Sequence, residues 1–278
     1  MSKSQPQRKQ RVLQAAYRDD GLTMAYLSRT LKKDKRSLAK QLFDVSLVPA
    51  RVHYPRKVLL ILDVHFFSRH FGIAVAFDAY RSEPIYETFV WRETVSVYIT
   101  MLRALCIVGY DIVAIVVDGR RGVKEQLGAL FRIPVQLCHF HQIQAGVRYL
   151  GKYPKTEAAK DLLRLYRSIG SSSHEKIEAN LAVWAMEYDD LLAERTIHPS
   201  GRWSYTHRRL RSAGVSLRRN LPYLYTYRQY PELAIPNTTN PLDGGVFSPM
   251  KTMLKTHRGL NQSHQNSLVL SFLRRENR

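Results

Sequence analysis

Cysteine is almost missing from this chain of 278 residues, with only Cys106 and Cys138 present. Two thiols cannot build a disulfide framework, and they fit a reducing cytosol. They also fall short of a four-ligand zinc ribbon, so no zinc is expected. Long apolar runs are lacking too. The longest, Val58 to Leu62 and Ile112 to Val117, are far below the roughly 20 residues that cross a bilayer, so no membrane partner is expected. The first residues are polar and basic without an apolar stretch, which argues against a secretory signal and for a cytoplasmic, nucleoid-associated protein. Acidic residues are the scarcest class relative to their counterparts: 23 Asp and Glu face 43 Lys and Arg, a formal net charge of +20. That excess favours a polyanionic partner.

The charge is uneven. Residues 1–57 hold 14 basic and 4 acidic side chains, residues 58–150 hold 9 and 8, and residues 151–278 hold 20 and 11. A near-neutral centre between two basic flanks suits flanks that hold a polyanion and a centre that acts on it. The alternative is a basic but merely solvated surface, which would usually intersperse the signs. An apolar content of 45% with 24% charged residues is that of a folded globular chain. Its length allows one large domain or two small ones.

The opening nine residues read as disordered. Val12, Leu13, Ala16 and Tyr17 suit one helix, Gly21 breaks it, and Leu22 to Leu31 suits a second with Ala25, Leu27 and Leu31 inward. A basic turn over residues 32–35 precedes a third helix from Arg36 to Phe43. Three short helices with a tight turn before the last resemble a helix-turn-helix, with Arg36, Ser37 and Lys40 as candidate DNA contacts. An ordinary three-helix packing unit is the other reading. Residues 46–57, with Pro49 and Pro55, read as a linker.

The period then becomes strand-like. Strands are expected at Val58–Val64, Gly72–Phe77, Ile85–Trp91, Ile112–Val117 and Val135–Leu137, and helices at Glu93–Val108 and Val123–Phe131. The order βββαβαβ predicts an α/β fold in which an antiparallel meander is followed by crossover strands. From His139 to Tyr230 the pattern reads as nearly all helical. Leu210, Leu217, Leu221 and Leu224 mark one face there, with Arg208, Arg211, Arg218 and Arg219 projecting from another. Such a helix can lie on a phosphate backbone, or its arginines can be a solvated face. The expected organisation is a helix-turn-helix-like region and linker at 1–57, an α/β region at 58–150, a helical stretch at 151–236 and a final helical region at 237–278.

Asp63 and Asp118 each end a buried-looking strand, in ILDVHF and IVVDGRRG. A carboxylate there is costly unless it reaches solvent, a partner or a metal. In a βββαβ order the first and fourth strands can be neighbours, which brings the two carboxylates together, and a divalent cation relieves their repulsion. Each alone could equally be a turn residue. A phosphoryl-transfer metal pair uses hard oxygen ligands, often with a third carboxylate from a helix. Asp243 in TTNPLDGGVFSPMK is the best candidate, sharing a helical face with Val246, Phe247, Met250 and Leu254. Its alternative role is to favour the helix dipole near a capped start. PVQLCHFHQ offers Cys138, His139 and His141, but no second ligand pair at zinc spacing and no third member of a thiol nucleophile triad. Trp184 and Trp203 are candidates to stack on an unpaired base, although a buried core position is the commoner role for tryptophan.

Together, ILDVHFF, VVDGRRGVKEQL, PVQLCHFHQ, GRWSYTHRRLRSAGVSLRRNLPYLYTY, TTNPLDGG, SPMK and HRGL resemble bacterial insertion-sequence transposases of the Mutator-like DDE group, over roughly Val58 to Leu273. The resemblance implies a ribonuclease-H-like mixed-sheet core with a helical insertion. It implies Asp63, Asp118 and Asp243 as the catalytic, metal-binding acids, two Mg²⁺ or Mn²⁺ ions, and Cys138 and His141 as the Cys-x-x-His signature near the site. It implies DNA as partner, at terminal inverted repeats and at the target, engaged by a homo-oligomer. Two departures stand out. The third acid is generally Glu in that group and is Asp243 here, and the amino-terminal zinc ribbon of some related chains has no cysteines here. An element-derived protein that binds without cutting, and a nuclease of the same fold, remain the other readings.

Overall fold

The computed structural model describes residues 5–44, 48 and 50–274. In chain order it begins with helices α1 (Gln5–Arg18), α2 (Met24–Leu31) and α3 (Lys35–Leu42), then strands β1 (Lys57–Ser68), β2 (Phe71–Asp78) and β3 (Glu83–Val90). Helix α4 (Val95–Val108), β4 (Asp111–Val117), α5 (Val123–Phe131), β5 (Val135–Leu137) and α6 (His139–Leu150) follow. Next come α7 (Glu157–Arg167), α8 (His174–Glu187), α9 (Asp189–Ala193), a hairpin of β6 (Arg195–Ile197) and β7 (Trp203–Tyr205), α10 (Arg208–Leu224) and α11 (Thr226–Gln229). The last elements are α12 (Asn240–Leu242), a π turn at Asp243–Phe247, α13 (Ser248–Thr256) and α14 (Gln262–Leu273). The chain divides into two compact units, one of residues 1–54 with 240–278 and one of residues 55–239.

The larger unit is α/β, built on a five-stranded mixed sheet in the order β3-β2-β1-β4-β5. β1, β2 and β3 are antiparallel neighbours, whereas β1, β4 and β5 run parallel. β1 and β4 read as continuous apolar runs because both their faces are buried. Alternate residues Val58, Leu60 and Leu62 of β1 join Ile115 and Val117 of β4 in one core. α4 packs Tyr98, Met101, Leu102 and Leu105 into it, all fully buried. Val108, the last residue of α4, is 39% exposed; Gly109 ends the helix in the left-handed conformation, φ 102°. Asp78 and Arg56 close the sheet edge near the start of β1: Arg56 donates to Asp78 Oδ2 at 2.7 Å and to Glu83 Oε1 at 2.6 Å.

The same core continues through Leu162, Tyr166, Ile177, Trp184, Leu217 and Tyr225, so the helices after β5 share it with the sheet. Trp184 is a core residue whose Nε1–H donates to the Ala158 carbonyl at 2.8 Å. Two close approaches fix the helix spacing. A Cβ on Gly146 of α6 would meet Tyr166 Cγ at 2.5 Å, and one on Gly214 of α10 would meet the Trp184 ring at 2.8 Å. The nearly all-helical stretch expected from 139 to 230 is interrupted by the β6–β7 hairpin. Its loop is a tight turn in which the Gly201 N–H donates to the His198 carbonyl at 2.9 Å, with Gly201 at φ 76°.

In the smaller unit, Thr23 caps α2 and Asp34 caps α3, each accepting a backbone N–H three residues on. Lys32, in the left-handed conformation, ends α2 and leaves three residues between the two helices. Leu27 and Leu38 are buried as expected, but Ala25 is exposed and Leu31 is 43% exposed. An eight-residue helix buries only a narrow stripe, and Leu27 fills it. The terminal segments pack together. Tyr17 stacks on His257 with centroids 3.8 Å apart, Phe43 stacks on His264 at 4.3 Å, and Arg18 donates to the Ser271 carbonyl at 2.9 Å. Disorder over the first nine residues is corrected from Gln5 on, where α1 begins; residues 1–4 lie outside the described residues, as does Pro49 of the expected linker. Among the described residues no helix is long and apolar enough to cross a membrane.

Candidate active site

Asp118 and Cys138 follow the carboxyl ends of β4 and β5, but Asp63, expected to end its strand, lies within β1, which runs on to Ser68 paired with β2 alone beyond the reach of β4. Ile61 of β1 stands opposite Val116 of β4 in the parallel ladder. Asp63 lies two residues further along β1, and Asp118 follows the last residue of β4, Val117. In open α/β sheets the carboxyl ends of parallel strands are where ligands bind. Asp63 is 9% exposed and accepts the Val64 N–H at 2.7 Å. Asp118 turns the chain after β4, accepting the Arg120 N–H at 3.1 Å.

The carboxyl end of β5 leads into Cys138 and His141. The Cys138 N–H donates to the Val117 carbonyl at 2.9 Å, which extends the β4–β5 ladder by one residue and sets the start of α6 beside Asp118. The Cys138 sulfur is buried and accepts from the Thr239 N–H at 3.3 Å, while Thr239 Oγ1 lies 3.5 Å from His141 Nδ1. A ring nitrogen of His141 is within 4.8 Å of an Asp63 carboxylate oxygen. The hydrogen bond with Cys138 raises His141 to about 9 against the opposing effect of burial, and the charges of Cys138, Asp63 and Asp118 add to the rise. Burial pushes the Cys138 thiol up, but hydrogen bonds from His141 and Thr239 bring it below its ordinary value. The two shifts are one interaction seen from its two partners. His139, the neighbouring candidate, turns into the core and contacts the Leu224 carbonyl at 2.6 Å.

One acid escaped the sequence reading. Glu93, just after β3, accepts from the Tyr98 hydroxyl at 2.7 Å and from Arg120 at 2.5 Å. Burial and then the Asp118 charge hold its carboxyl above the usual range, against those two hydrogen bonds. The buried Tyr98 hydroxyl is raised by burial and by the charges of Glu93, Asp118 and Asp63, which places all three carboxylates in one electrostatic neighbourhood. Glu93 offered no strand-end pattern; its signal was an acid between a strand and a helix that lacks a side-chain cap.

A groove of about 840 Å³ opens from these residues. Asp118 and His141 stand in its wall, and Arg120, Arg121, Arg148, Arg209 and Arg219 supply its charge. The groove runs between α6 and α10, which are tied by Asn220 donating to Gln142 Oε1 at 2.8 Å. Of the arginines expected on α10, Arg219 lines the groove and Arg208 lines an adjoining pocket with Lys155. Arg211 lies on another flank of the helix, its guanidinium 3.7 Å above the Tyr205 ring, and Arg218 is exposed. Arg209 was missed because it falls between the leucine face and the outward arginines.

The residues of the smaller unit are placed as follows. Asp243 begins the π turn, half-buried, with Val246, Phe247 and Met250 buried after it. Arg36 and Lys40 are exposed on α3; Ser37 is half-buried, its N–H donating to Asp34 Oδ1 and its hydroxyl accepting from Gln41 at 3.4 Å. No family model matches the sequence, and no curated protein matches it.

The resemblance implies divalent ions, and the donor chemistry around Asp63 and Asp118 suits a hard cation. Asp63, Asp118 and Glu93 are hard oxygen donors whose crowding is unfavourable without a counter-charge. The soft donor nearby, Cys138, is instead engaged by Thr239.

Proposed function

We propose that this chain is a DNA transposase of the DDE/DDD type, catalysing metal-dependent strand cleavage and strand transfer at the ends of an insertion element. One observation carries the reading: β1, which holds Asp63, and β4, which Asp118 follows, are adjacent parallel strands, and Asp118 opens onto an arginine-lined groove together with His141, the neighbour of Asp63. A mixed sheet with three antiparallel strands followed by two parallel ones supports a ribonuclease-H-like core. In this reading Asp63 and Asp118 hold the metal, and Asp243, carried by the resemblance, is the third acid. Bound Mg²⁺ or Mn²⁺ would supply activation of the attacking oxygen and stabilisation of the leaving one. Arg121, Arg148, Arg209 and Arg219 hold the phosphate backbone along the groove. Thr239 and Cys138 orient His141, whose positive charge faces the same backbone. The capped pair α2 and α3 serves as a helix-turn-helix that reads terminal inverted repeats through Arg36, Ser37 and Lys40, and the protein acts as a homo-oligomer on element and target DNA.

A second reading has one residue in its favour: Asp243 stands where the resembling enzymes carry Glu, which suits an element-derived protein that binds ends without cutting. One assay separates the readings. Labelled element-end DNA is incubated with Mg²⁺ or Mn²⁺ and wild type, Asp118→Asn or Asp243→Glu. Joined products from wild type, and none from an Asp118→Asn protein that still binds, support the transposase. Cutting by Asp243→Glu alone supports the binding protein, and cut ends without joining support a nuclease.

A further inference from the structure

The β6–β7 hairpin has a use that the groove does not explain. Strand pairing sets Arg195 opposite Tyr205 and Ile197 opposite Trp203, so these four side chains share one face of the ribbon. Along that face cations and rings alternate. Arg211 lies 3.7 Å above the Tyr205 ring, and Arg195 lies 4.2 Å above Trp203 and 5.9 Å above Tyr205. Trp203 is 52% exposed and Ile197 76% exposed. Trp203 therefore has no core role, contrary to the commoner expectation for the residue. Thr196, Ser204 and His198 occupy the opposite face with their own hydrogen bonds, Thr196 to Thr206 at 2.8 Å and His198 to Ser204 at 2.8 Å.

Charge decides what the ladder suits. Residues 195–231 include eight arginines and no Asp or Glu. An aromatic surface in a field of one sign matches a chain of negative charges that carries flat apolar rings. We propose that this hairpin face binds unpaired, single-stranded DNA, with a base stacking on Trp203 beside Ile197 and the backbone neutralised by Arg195 and Arg202. Duplex DNA keeps its base faces inside the stack and offers this surface only phosphates, so the ladder discriminates between the two forms. The inference rests on the nucleic-acid part of the reading above, yet it needs no metal and no chemistry.

The test is fluorescence anisotropy with the full chain in EDTA, using labelled oligothymidylate, a labelled duplex and phosphatidylserine vesicles. Trp203→Ala is expected to weaken oligothymidylate binding about tenfold, the effect of losing one stacked base, with duplex binding unchanged. Trp203→Phe keeps most of the affinity. Arg195→Lys keeps the charge but loses the planar stack, and falls between them. The three substitutions sit on an exposed face, and unchanged melting curves establish that each protein is folded. An unchanged single-strand affinity in Trp203→Ala overturns the proposal, as does an equal loss on duplex. Vesicle binding that depends on Trp203, with oligothymidylate untouched, overturns it in favour of a lipid surface. Failure of wild type to bind any DNA removes the nucleic-acid reading itself.

Discussion

Gly146→Ala tests the helix packing that places His141 in the groove. Gly146 lies in the middle of α6, where alanine is ordinarily the better residue by about 1 kcal/mol. Here the new methyl would sit 2.5 Å from Cγ and 2.6 Å from Cδ1 of Tyr166. Favourable carbon contacts need about 3.5 Å or more, so roughly 1 Å of separation must be found. The Tyr166 ring cannot give it by rotating outward. It is fully buried, and its hydroxyl donates to the Ala213 carbonyl at 2.8 Å, which pins it against α10. α6 must then move from α7, at an overpacking cost near the upper end of about 1–3 kcal/mol. Packing wins over propensity, and the net loss is about 2 kcal/mol, a melting point lower by roughly 4–8 °C. Gly170→Ala is the control, since nothing lies within 4 Å of its added methyl; it leaves stability unchanged or slightly raised. Differential scanning calorimetry of both variants decides. A Gly146→Ala protein as stable as wild type would show that Tyr166 does not set the α6–α7 distance.

Three further outcomes follow from the larger unit. Asp78→Asn leaves Arg56, 15% exposed, with Glu83 as its remaining charged partner, and should cost about 1.5–3 kcal/mol in urea unfolding, the range for a hydrogen bond to a charged group; Glu83→Gln, at the more exposed partner, should cost less than about 1 kcal/mol. Arg209→Ala with Arg219→Ala should reduce the slope of log affinity for duplex against log salt by about 1–2, and an unchanged slope would remove both from the backbone path. In metal-free protein, NMR should find His141 titrating near 9, falling towards the ordinary value of about 6.5 in Cys138→Ser. Because the folded value is raised, His141 contributes stability in full below about 6.5, and that contribution is lost as pH rises through about 9. Added Mg²⁺ beside Asp63 and Asp118 should lower the His141 value by offsetting their charge.

What the sequence made legible follows from which interactions are local. The strands were readable because β1 and β4 are buried on both faces and so appear as unbroken apolar runs, and the helix α5 matched at both ends. The adjacency of β1, which carries Asp63, and β4, which Asp118 follows, was readable because the strand order alone allows it. Glu93 and Arg209 were not, since their meaning depends on what stands across the groove rather than on spacing along the chain. The hairpin was missed although its signal is local: His198-Pro199-Ser200-Gly201 has proline where a turn wants φ near −65° and glycine where it wants a positive φ. Helical periodicity on both sides outweighed it, because three-residue strands leave no alternation to count.

The boundary expected near residue 57 separates an amino-terminal domain from everything after it, and the smaller unit argues against cutting there. Its two terminal segments supply each other's core. His257 is buried beneath Tyr17, and Phe43 covers His264. Arg51 and Arg18 donate to the Leu273 and Ser271 carbonyls in the last turn of α14, where carbonyls lack intrahelical donors. A fragment of residues 55–278 would leave α13 and α14 without these partners, and helices of 9 and 12 residues are marginal alone. In that fragment trypsin should cut after Lys251, Lys255 and Arg258 at least about tenfold faster than in the full chain, because cleavage follows the population of the opened form. Cleavage in β1–β4 should be unaffected. Equal protection of Lys251 and Lys255 in fragment and full chain would show that the carboxy-terminal helices stand without α1–α3.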